Sequence, residues 1–527
     1  MKKILLAGPG TGKTTKVKKE FLSTVIDFDS VLVLSFTNAT IGDLLKAFAK
    51  DGIPIGEKNC LTLHSYALRI NHKKSLHILN TLEERIVSKY ASLFGIEKKT
   101  LCEMLSCITY DQMITDFLEF AKTNPVYLKD QIGSIELLIV DEFQDFNEPE
   151  QQLVHLIAEH AAEVLILGDD DQCIYDFKDA TSEGIVNLYN DPLVENIEHA
   201  NVCYRCPDVI IEKCKNLLAN NKERIKKDWH PNSKPGEIIF QQIKTLQETQ
   251  DWLTKEIQSI RASEPDASIL VLAPVQLAIE GLPEALESAG IPALNFFAES
   301  VDVELYKKIW FLRILYCRHK LLNLILLLEC SGLSDYQKGK FRKILRQHLG
   351  DDFTFESIRD EAAQFFDDAS KALFLSPPSV EDLLEDDKFK DVKVVVNQAE
   401  GESTEAKLEH LEKYINPPLK FDPAAVNIMS IHKSKGLEAT HVFIVGMVDG
   451  ILPRKTDGVA SIEMQRRLLF VGMTRAKQRL YLLSTVRWDG KHVHRLGSEK
   501  FTPTRAGGSR HYNGRTSPFI SELKLDS

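Results

Sequence analysis

No apolar stretch in this sequence of 527 residues is long enough to cross a bilayer. The longest, Leu321 to Leu328, contains Asn323 and falls far short of the roughly 18 residues that a span requires. The run Ile4 to Ala7 behind Met1-Lys2-Lys3 is about half the minimum length of a secretory core and leads straight into Gly8-Pro9-Gly10, so export is not expected and a cytoplasmic location is. Excess positive charge is also lacking. The net charge of −11 excludes a generally basic binder of nucleic acid, and any such contact must come from a local groove. A disulfide framework is absent too: nine cysteines are an odd number, scattered without regular spacing, as expected of reduced thiols. Cys203 and Cys206 form a C-x-x-C with Cys214 nearby, which reads either as small buried hydrophobes or as a zinc site completed by His199. There is no internal repeat and no low-complexity tract.

What the chain does have is enough apolar residue, 43%, for packed cores, and enough length for roughly three or four domains. Ile4-Leu5-Leu6 reads as a strand that runs into Ala7-Gly8-Pro9-Gly10-Thr11-Gly12-Lys13-Thr14-Thr15, a phosphate-binding loop opening a helix. Glycines let successive backbone N–H groups converge on phosphate oxygens, Lys13 reaches the β- and γ-phosphates, and the Thr14 hydroxyl can ligand Mg²⁺. Ala7 stands where the strict pattern has Gly.

Leu137-Leu138-Ile139-Val140 reads as a buried parallel strand that delivers Asp141 and Glu142 to its carboxyl edge, where ligands bind in open α/β sheets. Phosphoryl transfer needs one acid to hold a metal and another to orient or deprotonate water. Asp141 suits the first role and Glu142 the second.

A third such strand, Val164 to Gly168, ends in Asp169-Asp170-Asp171-Gln172-Cys173-Ile174-Tyr175-Asp176-Phe177. With it, the strings AGPGTGKTT, LSFTNAT, TLHSYALRI, LLIVDEFQD, LGDDDQCIYDF, CYRC, VNIMSIHKSKGLE and RRLLFVGMTRAKQRLYL stand in the order found in the UvrD/Rep-type superfamily 1 DNA helicases. The chain resembles that family from residue 4 to about residue 485. The resemblance implies an α/β fold of two RecA-like parallel-sheet motor domains with two mostly helical insertions. Domain 1A is expected at 1–66 and 131–198, insertion 1B at 67–130, domain 2A at 199–318 and 422–527, and the acidic insertion 2B at 319–421. Both insertions are shorter than in large family members. The basic, Gly-rich stretch from Arg487 to Arg515 reads as flexible.

Site roles follow residue by residue from the same resemblance. Gly8, Gly10, Thr11, Gly12, Lys13, Thr14 and Thr15 would bind the nucleotide, with Thr14 and Asp141 at the metal and Glu142 as the base. Gln172 resembles the glutamine that senses the γ-phosphate, and Tyr204 matches the adenine-stacking tyrosine. Arg205 and Arg475 match two arginine fingers, and Gly436 and Glu438 the nucleotide contacts of the second domain. On the DNA side, Phe36 and Phe177 resemble base-stacking aromatics, Thr37, Asn38, His64 and Ser65 backbone-contacting groups, and His432 a further contact. Taken alone, either phenylalanine reads more readily as a core residue, and only the motif context brings base stacking level with that reading.

Three departures stand out. The family's helix before the first strand, with its adenine-reading glutamine, has no counterpart ahead of Lys2. Lys178-Asp179 replaces Arg-Gly after the third motif's aromatic, and Cys203 replaces Asn before Tyr204, so an altered coupling to DNA is expected. The implied activity is that of an ATP- and Mg²⁺-dependent translocase on single-stranded DNA, 3′ to 5′, that unwinds forks or displaces bound proteins in DNA repair. The alternative is a DNA-gated ATPase switch, the motor subunit of a repair or defence complex with a nuclease or repair factor as partner. A fused nuclease is not expected, because no cluster of acids with Lys follows the last motif.

Overall fold

Two sets of short, mostly apolar runs build two sheets in which parallel pairing predominates. The computed structural model describes residues 2–525 apart from 26, 72–75, 176–177, 223, 298–301, 350–353, 400, 402, 410, 412–419, 455–458, 498–499 and 507–508. The chain divides into two compact units. The first comprises Met1–Ile70, Leu118–Glu299 and Leu419–Ser527, and the second Asn71–Phe117 and Ser300–Pro418.

The first unit holds both sheets. One is made of β1 (Lys2–Ala7), β2 (Val31–Ser35), β3 (Cys60–Thr62), β4 (Ile135–Val140), β5 (Ala161–Gly168) and β6 (Asn196–Ala200), in the order 3-2-4-5-1-6. Every neighbouring pair is parallel, with Leu5 opposite Leu167 and Val140 opposite Ile166. All of Val31–Ser35 is buried, which is why β2 reads as a continuous apolar run rather than an alternating one. The order places the carboxyl ends of β1, β4 and β5 side by side, at the reversal of connection where doubly wound sheets bind ligands.

The second sheet contains β7 (Glu237–Thr245), β8 (Ile269–Ala273), β9 (Ala293–Asn295), β10 (Val426–Ser430), β11 (Ala439–Val445), β12 (Ala476–Asp489), β13 (Thr502–Ala506) and β14 (Ser509–Asn513). Its order is 9-10-8-11-12-14-13, with β7 also paired to β12. All pairs are parallel except β12–β14 and β13–β14. Cys203, Cys206, the helix Asp208–Leu218 and Trp229 share a core with Leu270 of β8, Val442 of β11 and Leu480 of β12, so residues 202–229 belong with this sheet. The stretch from Arg487 to Arg515, expected to be flexible, is folded: the helix Gly490–Leu496 and the β13–β14 hairpin follow β12, and Trp488 is buried. Trp488, Val493 and Phe501 pack into one core with Tyr481 of β12, which holds this segment to the sheet, and Gly497 ends the helix at φ 61°.

The second unit is helical apart from a short parallel pairing of His77–Ile78 with Cys107–Ile108. Val87 and Tyr90 of the helix Thr81–Phe94 share one core with Trp310, Leu322, Leu326, Phe341 and Leu345 of the helices Val303–Tyr316, Lys320–Cys330 and Asp335–His348. The apolar run Leu321 to Leu328 is therefore a core helix, and the Asn323 amide donates to the His319 carbonyl at 3.0 Å. No helix among the described residues is long and apolar enough to cross a membrane.

Candidate active site

β1 ends at Ala7, and the chain turns through Gly8–Gly12 into the helical turn Lys13–Lys16. The Thr11 hydroxyl donates to the Gly8 carbonyl at 2.7 Å, and the Lys16 N–H to the Gly12 carbonyl at 3.0 Å. Gly10 lies at φ 70° in the left-handed region, and a Cβ there would also collide with the Arg205 side chain, so only glycine fits. The Lys13 ammonium reaches Asp141 Oδ1 at 2.7 Å and pairs with Glu142. Burial works against its charge, but the two carboxylates outweigh that and hold it above the usual lysine range. Burial, with Glu142 alongside, raises the Asp141 carboxyl despite Lys13. Against the same cost of burial, Lys13 and Lys435 hold Glu142 well below the usual carboxylate range. Glu142 also sits at φ 57°, a conformation costing on the order of 1–3 kcal/mol outside glycine. Its N–H donates to Asp141 Oδ1 at 3.0 Å, which helps to hold that turn.

The second sheet supplies the facing wall. Arg475 follows the helix Val459–Met473 and is only 2% exposed. Its guanidinium donates to Val471 O at 2.8 Å, Leu437 O at 3.3 Å and the Thr474 hydroxyl at 3.1 Å, all neutral acceptors. Burial and the nearby Arg205 push it down to about 9, which for a guanidinium means an ill-compensated charge rather than a lost proton. Arg205 donates to Glu438 Oε2 at 2.6 Å, and Lys477 holds the other Glu438 oxygen at 2.5 Å. The Tyr204 N–H donates to the Gly10 carbonyl at 2.8 Å while its ring stays 58% exposed.

All fifteen residues expected at the nucleotide and its metal, from Gly8 to Arg475, line one cavity of about 1060 Å³. The chemistry of the donor set fits Mg²⁺ and phosphate: Thr14 and Asp141 offer the hard oxygen ligands that Mg²⁺ takes, and among the described residues the buried Arg475 cation forms no ion pair.

Sequence reasoning missed Gln144, Asp145, Asp169 and Lys435, which bond to Glu142 or Gln172. Gln144 donates to Glu142 Oε2 at 2.7 Å and accepts from the Asp169 N–H at 3.0 Å. The Gln172 amide donates to Asp169 Oδ2 at 2.9 Å. Lys435 reaches Asp145 at 2.5 and 2.7 Å, the Gln172 carbonyl at 2.9 Å and Glu142 at 3.5 Å. Burial and Glu142 raise the Asp145 carboxyl to about 7 in spite of Lys435. Lys435 and Asp145 stood inside motifs already read, but nothing local in the sequence pairs them.

The residues expected on DNA are less uniform. Phe36 is buried, 5.0 Å from the Tyr175 ring and 5.8 Å from that of Phe146, with the Lys178 ammonium 4.9 Å from its centroid. Thr37 caps the helix Asn38–Lys50 through the Thr40 N–H, and Asn38 is exposed. His64 pairs with Glu150 at 3.1 Å, and the exposed Ser65 hydroxyl bonds Thr62 at 2.8 Å. The His432 ring is 6.3 Å from Tyr175. Phe177 lies outside the described residues. Cys203, Cys206 and Cys214 are buried together, and His199 meets the Tyr189 ring edge to face at 6.0 Å instead of joining them. Among the described residues, only Asp169, Asp170 and Asp171 are grouped as metal ligands are.

Comparison with known proteins agrees with this geometry. The UvrD/REP helicase N-terminal domain matches residues 71–192 and the UvrD-like helicase C-terminal domain residues 387–487. The chain is 23% identical to DNA helicase II of Haemophilus influenzae over 78% of its own length and 64% of that protein. It is 22% identical to the ATP-dependent DNA helicase PcrA of Leuconostoc citreum, over 91% of the chain and 79% of the relative. With DNA helicase II of Escherichia coli K12 the figures are 25%, 75% and 62%. The chain thus spans less than two thirds of the length of both helicase II proteins.

Proposed function

Since the chain belongs to the UvrD/Rep-type superfamily 1 helicases, we propose that it is an ATP-dependent motor that moves 3′ to 5′ along single-stranded DNA and unwinds forks or displaces bound proteins. The observation that carries this reading is the cavity in which Lys13, Asp141 and Glu142 from the first sheet face Arg205 and Arg475 from the second. ATP is the substrate. Thr14 and Asp141 would hold Mg²⁺, which when bound neutralises charge on the phosphates. Lys13 exchanges its carboxylate partners for phosphate oxygens, and Glu142, freed of that ammonium, accepts the proton of the attacking water. Arg475 finds in the developing charge of the transition state the anion its buried site lacks. Tyr204 offers an exposed ring for the adenine. Because the arginines and Lys13 stand on different sheets, hydrolysis depends on how the two are held together, which is how chemistry is converted into movement.

Opening a base-pair step costs about 1.4 kcal/mol, well within one hydrolysis, so the energetics permit unwinding. The test is ATPase activity with and without single-stranded DNA, beside unwinding of duplexes carrying either a 3′ or a 5′ tail. DNA-stimulated turnover with unwinding from the 3′ tail alone is expected. Turnover indifferent to DNA would overturn the motor, and stimulated turnover without unwinding would favour a DNA-gated switch.

A further inference from the structure

Lys227 has no place in any motif, yet its buried ammonium meets three carboxylates. It pairs with Asp169 Oδ1, with Asp170 Oδ1 at 2.5 Å and with Asp171 Oδ2 at 2.7 Å. Arg224 grips Asp171 through both oxygens, at 2.6 and 2.9 Å, and the Ile225 N–H donates to Asp170 at 2.9 Å. The three aspartates are clustered as cation ligands are, and the cation they hold is a lysine of this chain.

Asp169 divides its two oxygens. Oδ1 takes Lys227, while Oδ2 takes the Gln172 amide at 2.9 Å. The Asp169 N–H donates to Gln144, whose own amide donates to Glu142 at 2.7 Å. A continuous chain of polar side-chain contacts therefore runs from Lys227 through the Asp169 carboxylate to Gln172, while the Asp169 main chain separately anchors Gln144 beside Glu142. Lys227 belongs to a segment that shares the second sheet's core through Trp229, and a side chain on Gly8 would meet the Trp229 indole nitrogen at 3.1 Å. The segment thus touches the phosphate loop and the third-motif acids together.

We propose that Lys227 is a positioning residue for ATP hydrolysis, fixing the Asp169 carboxylate so that Gln172 is aimed at the nucleotide. It rests on the ATPase reading above. Three buried carboxylates with one fewer cation rearrange to share Arg224 or take up a proton, and Asp169 then loses the orientation that holds Gln172. Lys227 itself does not line the nucleotide cavity, so binding of ATP is left intact.

The experiment is steady-state, DNA-stimulated ATPase of the full chain, comparing wild type with Lys227→Met, Gln172→Ala, the double variant and Lys227→Arg. Lys227→Met should lower kcat by about tenfold to a hundredfold, as misplaced reacting groups do, with KM for ATP unchanged. The double variant should be no slower than Gln172→Ala alone, because the two act in series. Lys227→Arg should recover most of the rate, since it keeps the charge. Should Lys227→Met fold poorly, Asp169→Asn with Lys227 intact serves in its place and should show the same kcat loss and the same lack of additivity with Gln172→Ala. Effects that multiply in full, or a KM increase at constant kcat, would overturn the role of Lys227 while leaving the ATPase standing. Absence of turnover in wild type would instead overturn the reading of the site itself.

Discussion

From the strand ends of the first sheet come carboxylates, Asp141, Glu142 and Asp145 after β4 and Asp169, Asp170 and Asp171 after β5. From the chain packed on the second sheet come Arg205, Arg224, Lys227, Lys435 and Arg475. Ion pairs between the two run one way, acid from the first and base from the second: Lys435 to Asp145 and Glu142, Lys227 to all three aspartates, Arg224 to Asp171. Around the nucleotide cavity each sheet also keeps ion pairs of its own. Lys13 sits among the first sheet's own acids, and Glu438 holds the second sheet's Arg205 and Lys477. The asymmetry teaches how a nucleotide can couple the two. A triphosphate brings more negative charge to the acidic side, where Lys13 receives it, and the buried cations opposite are the groups left to neutralise it.

The sharpest way to break the comparison is to take the charge from the second sheet. Arg475→Ala should lose about 10³–10⁵ in DNA-stimulated kcat, the range for an arginine finger, while DNA affinity measured by fluorescence anisotropy stays close to wild type. Arg205→Ala should act in the same direction, and less, because part of its charge is spent on Glu438. Unchanged turnover in Arg475→Ala would remove the second sheet from the chemistry.

Removing one acid from the first sheet should cost somewhat less. Glu142→Gln keeps the shape and the amide contact to Gln144 but cannot take a proton, so kcat should fall by about 10²–10⁴ with ATP still bound. Lys13→Ala, by contrast, should lose nucleotide binding as well. Equal turnover in wild type and Glu142→Gln would assign the base elsewhere.

The seam itself is tested by Lys435→Met, which strands Asp145 beside Glu142. Breaking a buried pair by removing one partner costs about 3–5 kcal/mol. Chemical denaturation should show that loss for Lys435→Met, and much less of it for Lys435→Met with Asp145→Asn, in which both charges are gone. A double variant as unstable as the single one would mean that Lys435 acts by packing.

How much of this the sequence revealed depends on how local each requirement is. The phosphate loop was legible because Gly10 and Gly12 must adopt left-handed backbone within five residues of a buried strand, a demand that leaves its trace in residue type. Asp141 and Glu142 were legible because an apolar run must end somewhere and ended in acids. Lys227 and Gln144 were not, since a lysine after one helix meets three aspartates after a distant strand only once both sheets exist. Phe36 shows the limit within a motif: its ring packs on Phe146 and Tyr175, contacts that periodicity does not encode. The insertions read as two separate segments, yet Tyr90 of one and Glu329 and Arg342 of the other meet in a single cluster, with the Tyr90 hydroxyl donating at 2.9 Å.

The smallest expected effect is on pH dependence, and it isolates one acid of the seam. Burial raises Asp145 to about 7 from an ordinary 3.8, so the folded protein holds that proton more tightly than the unfolded chain does. The contribution of this group to stability is complete below about pH 4 and is lost as pH rises through about 7, because stability falls with pH wherever the folded state binds more protons. Asp145→Asn carries a permanently neutral side chain and has no such dependence. The melting temperature of wild type minus that of Asp145→Asn, followed from pH 5 to pH 8, should therefore decline with an inflection near 7. Other titrating groups, including the raised Asp141 and the depressed Glu142, are present in both proteins and cancel to first order. A difference that stays flat over that range would mean that Lys435 keeps Asp145 ionised throughout. The seam would then be a fixed ion pair, and the charge asymmetry between the sheets would be insensitive to proton concentration.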